Sequence, residues 1–123
     1  MRKIRVIIAD DLEETRRSLR LMLSFSEDIE VVGEARDGGE TLRLVEELKP
    51  DVLLLDINMP KVDGISISRK VVKDYPEVKI IAISFQSDEE YEVALKELGV
   101  SSYLVKPFSI SKLIETVKSV VSG

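Results

Sequence analysis

The sequence predicts an α/β fold, a three-layer sandwich in which amphipathic helices cover both faces of a five-stranded parallel sheet. Three observations predict it. Five short runs rich in Val, Ile and Leu alternate with five longer stretches whose apolar residues recur at helical spacing. The short runs are rich in Val and Ile, as strands covered on both faces are. A length of 123 residues suits one domain, long enough to bury a core without a disulfide or structural metal.

Ile4–Ala9 reads as the first strand; the charged lead-in before it and the brevity of the apolar run do not fit a secretion signal. Leu12, Leu19, Met22 and Leu23 mark the first helix, with Asp11 and Glu14 spaced as a capping pair at its start. Val31–Ala35 is the second strand. Leu42, Val45 and Leu48 mark the second helix, which stops at Lys49-Pro50 because the residue before proline disfavours helix. Val52–Leu55 is the third strand, and Ile65, Ser68 and Val72 lie along the third helix. Lys79–Ser84 is the fourth strand. Tyr91, Ala94, Leu95 and Leu98 form the stripe of the fourth helix, closed by Gly99. Ser102–Val105 is the fifth strand. Ile110, Leu113, Ile114, Val117, Val120 and Val121 form the stripe of the fifth helix, which starts near Ser109. Glu13–Arg17 and Glu92–Lys96 have the favourable i, i+4 order. Five βα units in succession imply right-handed crossovers, and the expected strand order is 2-1-3-4-5.

Composition narrows the chemistry. The chain has no cysteine and no histidine, which excludes thiol catalysis, the usual zinc ligands and a phosphohistidine carrier role. Eighteen basic against 23 acidic residues, a net charge of −5, disfavours direct nucleic-acid binding by this domain. No run approaches a membrane span, and a cytoplasmic location is expected. Asn58 and Gln86 are the sole carboxamides; with abundant Glu and Lys this is a composition found at high growth temperature.

In parallel sheets of this kind ligands bind beyond the carboxyl ends of the strands. Asp10 and Asp11 follow the first strand, Asp56 the third, and Lys106 the fifth, while Ser84 ends the fourth. With the expected strand order these side chains converge. Three carboxylates packed together repel one another, and an all-oxygen cluster suits a hard cation, Mg²⁺ or Mn²⁺. A carboxylate beside a metal, an ammonium and a hydroxyl can accept a phosphoryl group.

The elements Ile8-Ala9-Asp10-Asp11, Leu55-Asp56-Ile57-Asn58-Met59-Pro60-Lys61-Val62-Asp63-Gly64, the strand-ending Ser84, and Val105-Lys106-Pro107-Phe108 occur in order after the expected strands. In these the chain resembles, over residues 1–123, the receiver domain of two-component response regulators. The resemblance implies a flavodoxin-like (βα)5 fold with Asp56 as phosphoacceptor. It implies Mg²⁺ held by Asp10, Asp11, Asp56 and the backbone carbonyl of Asn58, with Ser84 and Lys106 on the phosphoryl oxygens. It also implies a cis Lys106–Pro107 bond and a switch made of Ser84 and Tyr103. The donor would be a sensor histidine kinase or a phosphotransfer protein. The output face would be the fourth helix, fifth strand and fifth helix, open to a second copy or an effector domain. Such a domain takes part in its own phosphorylation without being a dedicated enzyme. One residue departs from the usual pattern: Phe85 stands where the family has a small residue, and its ring is expected to narrow access. Asn58 and Gln86 are expected to tune the phosphoryl lifetime.

Each residue alone has a plainer reading. Asp10-Asp11 could be a helix cap, Asp56 turn chemistry, Lys106 a surface lysine, and Tyr103 a half-buried aromatic. Phe108, Met22 and Met59 read as packing, and Asp88-Glu89-Glu90 as a solvated helix start. Other functions are an aspartyl-nucleophile phosphatase, which wants an acid where Asn58 stands, and a binding module that works unphosphorylated. A flavin site would lack a phosphate-cradling loop after the first strand, where Asp10-Asp11 would repel phosphate.

Overall fold

The computed structural model describes residues 2–60 and 63–122; Met1, Lys61, Val62 and Gly123 lie outside the described residues, so that part of the loop motif has no structural account. The elements run β1 (Ile4–Ala9), α1 (Glu13–Leu23), β2 (Ile29–Ala35), α2 (Gly38–Leu48), β3 (Val52–Asp56), α3 (Gly64–Asp74), β4 (Lys79–Ser84), α4 (Glu89–Leu98), β5 (Ser102–Val105) and α5 (Ile110–Ser122). The five strands pair in parallel in the order β2-β1-β3-β4-β5, as expected. Among the described residues no helix is long and apolar enough to cross a membrane.

Strand side chains alternate between faces, and the core divides accordingly. Ile7, Leu53, Leu55 and Ile80 point to the layer that holds Val45, Ile67, Val71 and Leu95 of α2, α3 and α4. Val6, Ile8, Leu54 and Ile81 point to Leu19, Leu23, Leu113 and Val117 of α1 and α5. The middle strands are therefore sealed on both faces, and burying one such Leu or Ile contributes roughly 1.5–3 kcal/mol. That sealed sheet is the rigid frame that aims the residues at its carboxyl edge.

Several expectations at element ends need correction. Asp11 does not cap α1: the cap position is Leu12, with no side-chain capping bond. Instead Asp10 Oδ1 accepts the Leu12 N–H at 2.9 Å, an Asx-type turn that ties the strand exit to the helix start. Leu12 itself is exposed, not part of the buried stripe. On α3 the buried positions are Gly64, Ile67, Ser68 and Val71; Ser68 is buried as expected, while Ile65 and Val72 are only partly buried at the flanks of the stripe. Ile110 and Val121, at the two ends of α5, are exposed, and β2 begins two residues earlier than expected, at Ile29. α2 does end at Lys49, which takes the left-handed conformation (φ 46°). Arg5 Nη1 then donates to the freed carbonyls of Leu48 and Lys49 at 2.6 and 3.0 Å. Gly99 closes α4 at φ 114°, a conformation that favours glycine.

Candidate functional site

β1, β3, β4 and β5 are successive neighbours, so residues just past their carboxyl ends share one edge. In register Ala9 lies beside Leu55, Asp56 beside Ile83, and Ser84 beside Val105. Asp10, Asp11 and Asp56 each bring a carboxylate oxygen within 4.8 Å of the others. Lys106 Nζ lies 3.8 Å from Asp10 Oδ2 and 4.0 Å from Asp56 Oδ2, close enough for charge attraction and too long for a hydrogen bond. The Lys106–Pro107 peptide bond is cis, as expected.

Burial makes this cluster costly. Asp10 and Asp56 are 1% and 6% exposed. Asp56 Oδ1 accepts the Asn58 N–H at 2.8 Å. Burial pushes the Asp56 carboxyl up to about 6; the Asn58 N–H opposes the rise, neighbouring Asp10 adds to it, and Lys106 counters it. Asp10 Oδ1 is satisfied by the Leu12 N–H, but Asp10 Oδ2 is buried without a hydrogen-bond partner. A buried carboxylate oxygen left unpaired, among two further carboxylates, is what a hard divalent cation would satisfy. The residues present fit such an ion.

Sequence reasoning missed Arg16. Its Nη1 donates to the Asp10 backbone carbonyl at 2.6 Å, and its Nε to Glu34 Oε1 at 3.2 Å. Arg16 thus clamps the backbone that presents Asp10 and Asp11. No local signal marks it, because its carboxylate partner is 18 residues away on β2.

The remaining expected residues gather beside this cluster. Ser84 is buried, and its Oγ accepts the Gln86 N–H at 3.0 Å. The Lys106 N–H donates to the Ser84 carbonyl at 2.7 Å, linking β5's exit to β4's. Tyr103 is half-buried against the α2–α4 side of the core, and its hydroxyl donates to the Gln86 carbonyl at 3.3 Å. Phe85 is 59% exposed, while its backbone N–H donates to Asn58 Oδ1 at 3.0 Å. Met59 is buried in the core and Phe108 packs against the α1–α5 side. Asp88 caps α4 by accepting the Tyr91 N–H at 3.1 Å.

The sequence profile of the response regulator receiver domain matches residues 6–118. The chain is 40% identical over 121 residues to the transcriptional regulatory protein DegU of Brevibacillus brevis, covering 98% of this chain and 51% of that protein. It is 31% identical over 120 residues to the response regulator GacA of Pseudomonas viridiflava, covering 98% of this chain and 56% of that protein. The chain therefore spans about half the length of these curated relatives. Among solved structures, the signal receiver domain of the response regulator NarL from Mycobacterium tuberculosis superposes with a TM-score of 0.92 at 30% identity, covering 100% of this chain and 99% of that one. Strand order, the acidic cluster at the sheet edge and these likenesses agree, and the chain belongs to the response regulator receiver domain family.

Proposed function

We propose that this chain is one receiver domain that accepts a phosphoryl group on Asp56 and relays the event through the region of Ser84 and Tyr103. The observation that carries the reading is the cluster of Asp10, Asp11 and Asp56 facing Lys106, with Asp10 and Asp56 buried. The donor is a phosphohistidine on a sensor histidine kinase or phosphotransfer protein. An Asp56 carboxylate oxygen attacks phosphorus in line, the phosphorus–nitrogen bond breaks as the phosphorus–oxygen bond forms, and the imidazole leaves and takes up a proton. Lys106 offsets the negative charge gathered on the phosphoryl oxygens, and the Ser84 hydroxyl donates to one of them. Asp10, Asp11, Asp56 and the Asn58 carbonyl would hold Mg²⁺, or Mn²⁺, which supplies positive charge to the same oxygens.

The output is a bias between two conformations of the segment that holds Ser84, with Tyr103 following it. The face built from α4, β5 and α5 is the proposed contact for a second copy or an effector domain. Exposed Val93, Val105 and Ile110 on that face, with Phe85 beside it, are apolar groups an interface could cover. A cytoplasmic location, and no turnover of an external substrate, belong to the same reading.

The test is incubation with Mg²⁺ and acetyl phosphate followed by intact mass. Wild type should gain the mass of one phosphoryl group and Asp56→Ala should not. A wild type that stays unmodified, or an equally modified Asp56→Ala, overturns the assignment.

A further inference from the structure

The backbone pairing of β3 with β4 has its last rung past the strand end, where the Ile57 N–H donates to the Ile83 carbonyl at 3.0 Å. One step further the backbone ladder stops, yet the two loops stay joined. The Asn58 side chain supplies the next rung, its Oδ1 accepting the Phe85 N–H at 3.0 Å across 27 positions of sequence. From the other side, the Tyr103 hydroxyl holds the Gln86 carbonyl at 3.3 Å. Within the segment, Gln86 turns its own N–H onto Ser84 Oγ at 3.0 Å. Residues 84–86 are thus tied to β3's exit by Asn58 and to β5 by Tyr103. Beside these ties lies a cavity of about 210 Å³, lined in part by Ile57, Asn58, Ser84, Gln86 and Tyr103.

The chemistry of the ties matters. A phosphoryl group presents only acceptor oxygens, so every neighbour that answers it must donate. Here a backbone donor next to Ser84 is occupied by a carboxamide oxygen. That bond can be made only while the segment stays where it is.

We propose that the Asn58 carboxamide is a latch: by holding the Phe85 N–H it keeps residues 84–86 in the resting position, and its release sets how readily the site takes up a phosphoryl-like anion. Asn58 acts here as a positioning residue. The consequence for anion uptake rests on Asp56 being the phosphoacceptor; the latch itself does not. One neutral, partly exposed hydrogen bond biases such an equilibrium by about 2- to 10-fold.

Two measurements on the full chain test the proposal. Amide hydrogen exchange, read by NMR at Phe85, should be protected in wild type and about 2- to 10-fold faster in Asn58→Ala. Asn58→Asp, which keeps an acceptor oxygen, should retain the protection. The change should stay local; faster exchange throughout β3 and β4 would mean general loosening and overturns the latch. In parallel, titration with beryllofluoride and Mg²⁺ should give tighter apparent binding in Asn58→Ala by a similar factor, since the competent form is more populated. Unchanged Phe85 exchange overturns the proposal, and so does faster exchange with unchanged beryllofluoride affinity. If the alanine variant does not fold, wild type decides: a Phe85 amide exchanging as fast as in an unstructured peptide overturns the latch. A wild type that binds no beryllofluoride at all refutes the phosphoacceptor reading instead, while the exchange data still judge the latch.

Discussion

Removing one negative charge from the acidic cluster should stabilise the metal-free protein. The Asp56 carboxyl is pushed from the ordinary 3.8 up to about 6, chiefly by burial. The folded chain therefore holds a proton on Asp56 more tightly than the unfolded chain does. Below the ordinary value both states are protonated and Asp56 costs nothing. Between that value and about 6 the cost grows as pH rises, and above about 6 it is complete. A gap of 6 − 3.8 = 2.2 at roughly 1.36 kcal/mol per unit gives an upper value of about 3 kcal/mol near pH 7.5. The same relation leaves about 1 kcal/mol near pH 4.5. Asn at this position keeps an acceptor for the Asn58 N–H and offers donors where Asp10 Oδ2 has none. Urea unfolding in EDTA should therefore find Asp56→Asn more stable than wild type by about 2–3 kcal/mol near pH 7.5, the gain shrinking to about 1 near pH 4.5. An equal or lower stability near pH 7.5, or a gain that does not change with pH, would refute the reasoning that burial makes this carboxylate costly.

Other perturbations have equally definite outcomes. Added Mg²⁺ should raise the melting temperature of wild type, with a stabilisation on the order of 1–3 kcal/mol at concentrations well above the dissociation constant, and Asp10→Asn should lose most of it; an undiminished shift in that variant would exclude Asp10 as a ligand. Phe85→Ala should speed both phosphorylation by acetyl phosphate and later hydrolysis several-fold, about 1 kcal/mol of barrier each; if both rates stay the same, the exposed ring does not screen the site. Gly99→Ala should destabilise by roughly 1–3 kcal/mol in denaturant unfolding, because the backbone sits at φ 114° and a Cβ there would lie 3.0 Å from Val72 Cγ1.

The architecture was legible because it rests on local periodicities. Apolar runs such as Val52–Leu55 mark a strand buried on both faces wherever it packs, and the runs at Ile4–Ala9, Lys79–Ser84 and Ser102–Val105 match their strands residue for residue. Punctuation by Pro50 and Gly99 stopped two helices where expected. The errors cluster at element ends, where two local solutions compete. Asp10 and Asp11 are both good caps, and which one meets the helix start depends on how β1 leaves the sheet. On α3 the residues Ile65, Ile67, Val71 and Val72 leave the buried face ambiguous by one position until Gly64 and Ser68 are seen packed inward.

By itself the sequence determined the elements, their order, and the polar groups that end the strands at Asp10, Asp56 and Ser84. Chain order and the handedness of the crossovers then leave few ways to assemble the sheet. The tertiary structure alone decided what those groups do to one another. The rise of Asp56, the unpaired Asp10 oxygen, the bond from Arg16 on α1 to the Asp10 carbonyl and the bond from the Phe85 N–H to Asn58 all depend on residues from different elements meeting. Spacing in sequence records which face a side chain takes. Burial and hydrogen bonding depend on distances between segments, and those exist only once the sheet has closed its register.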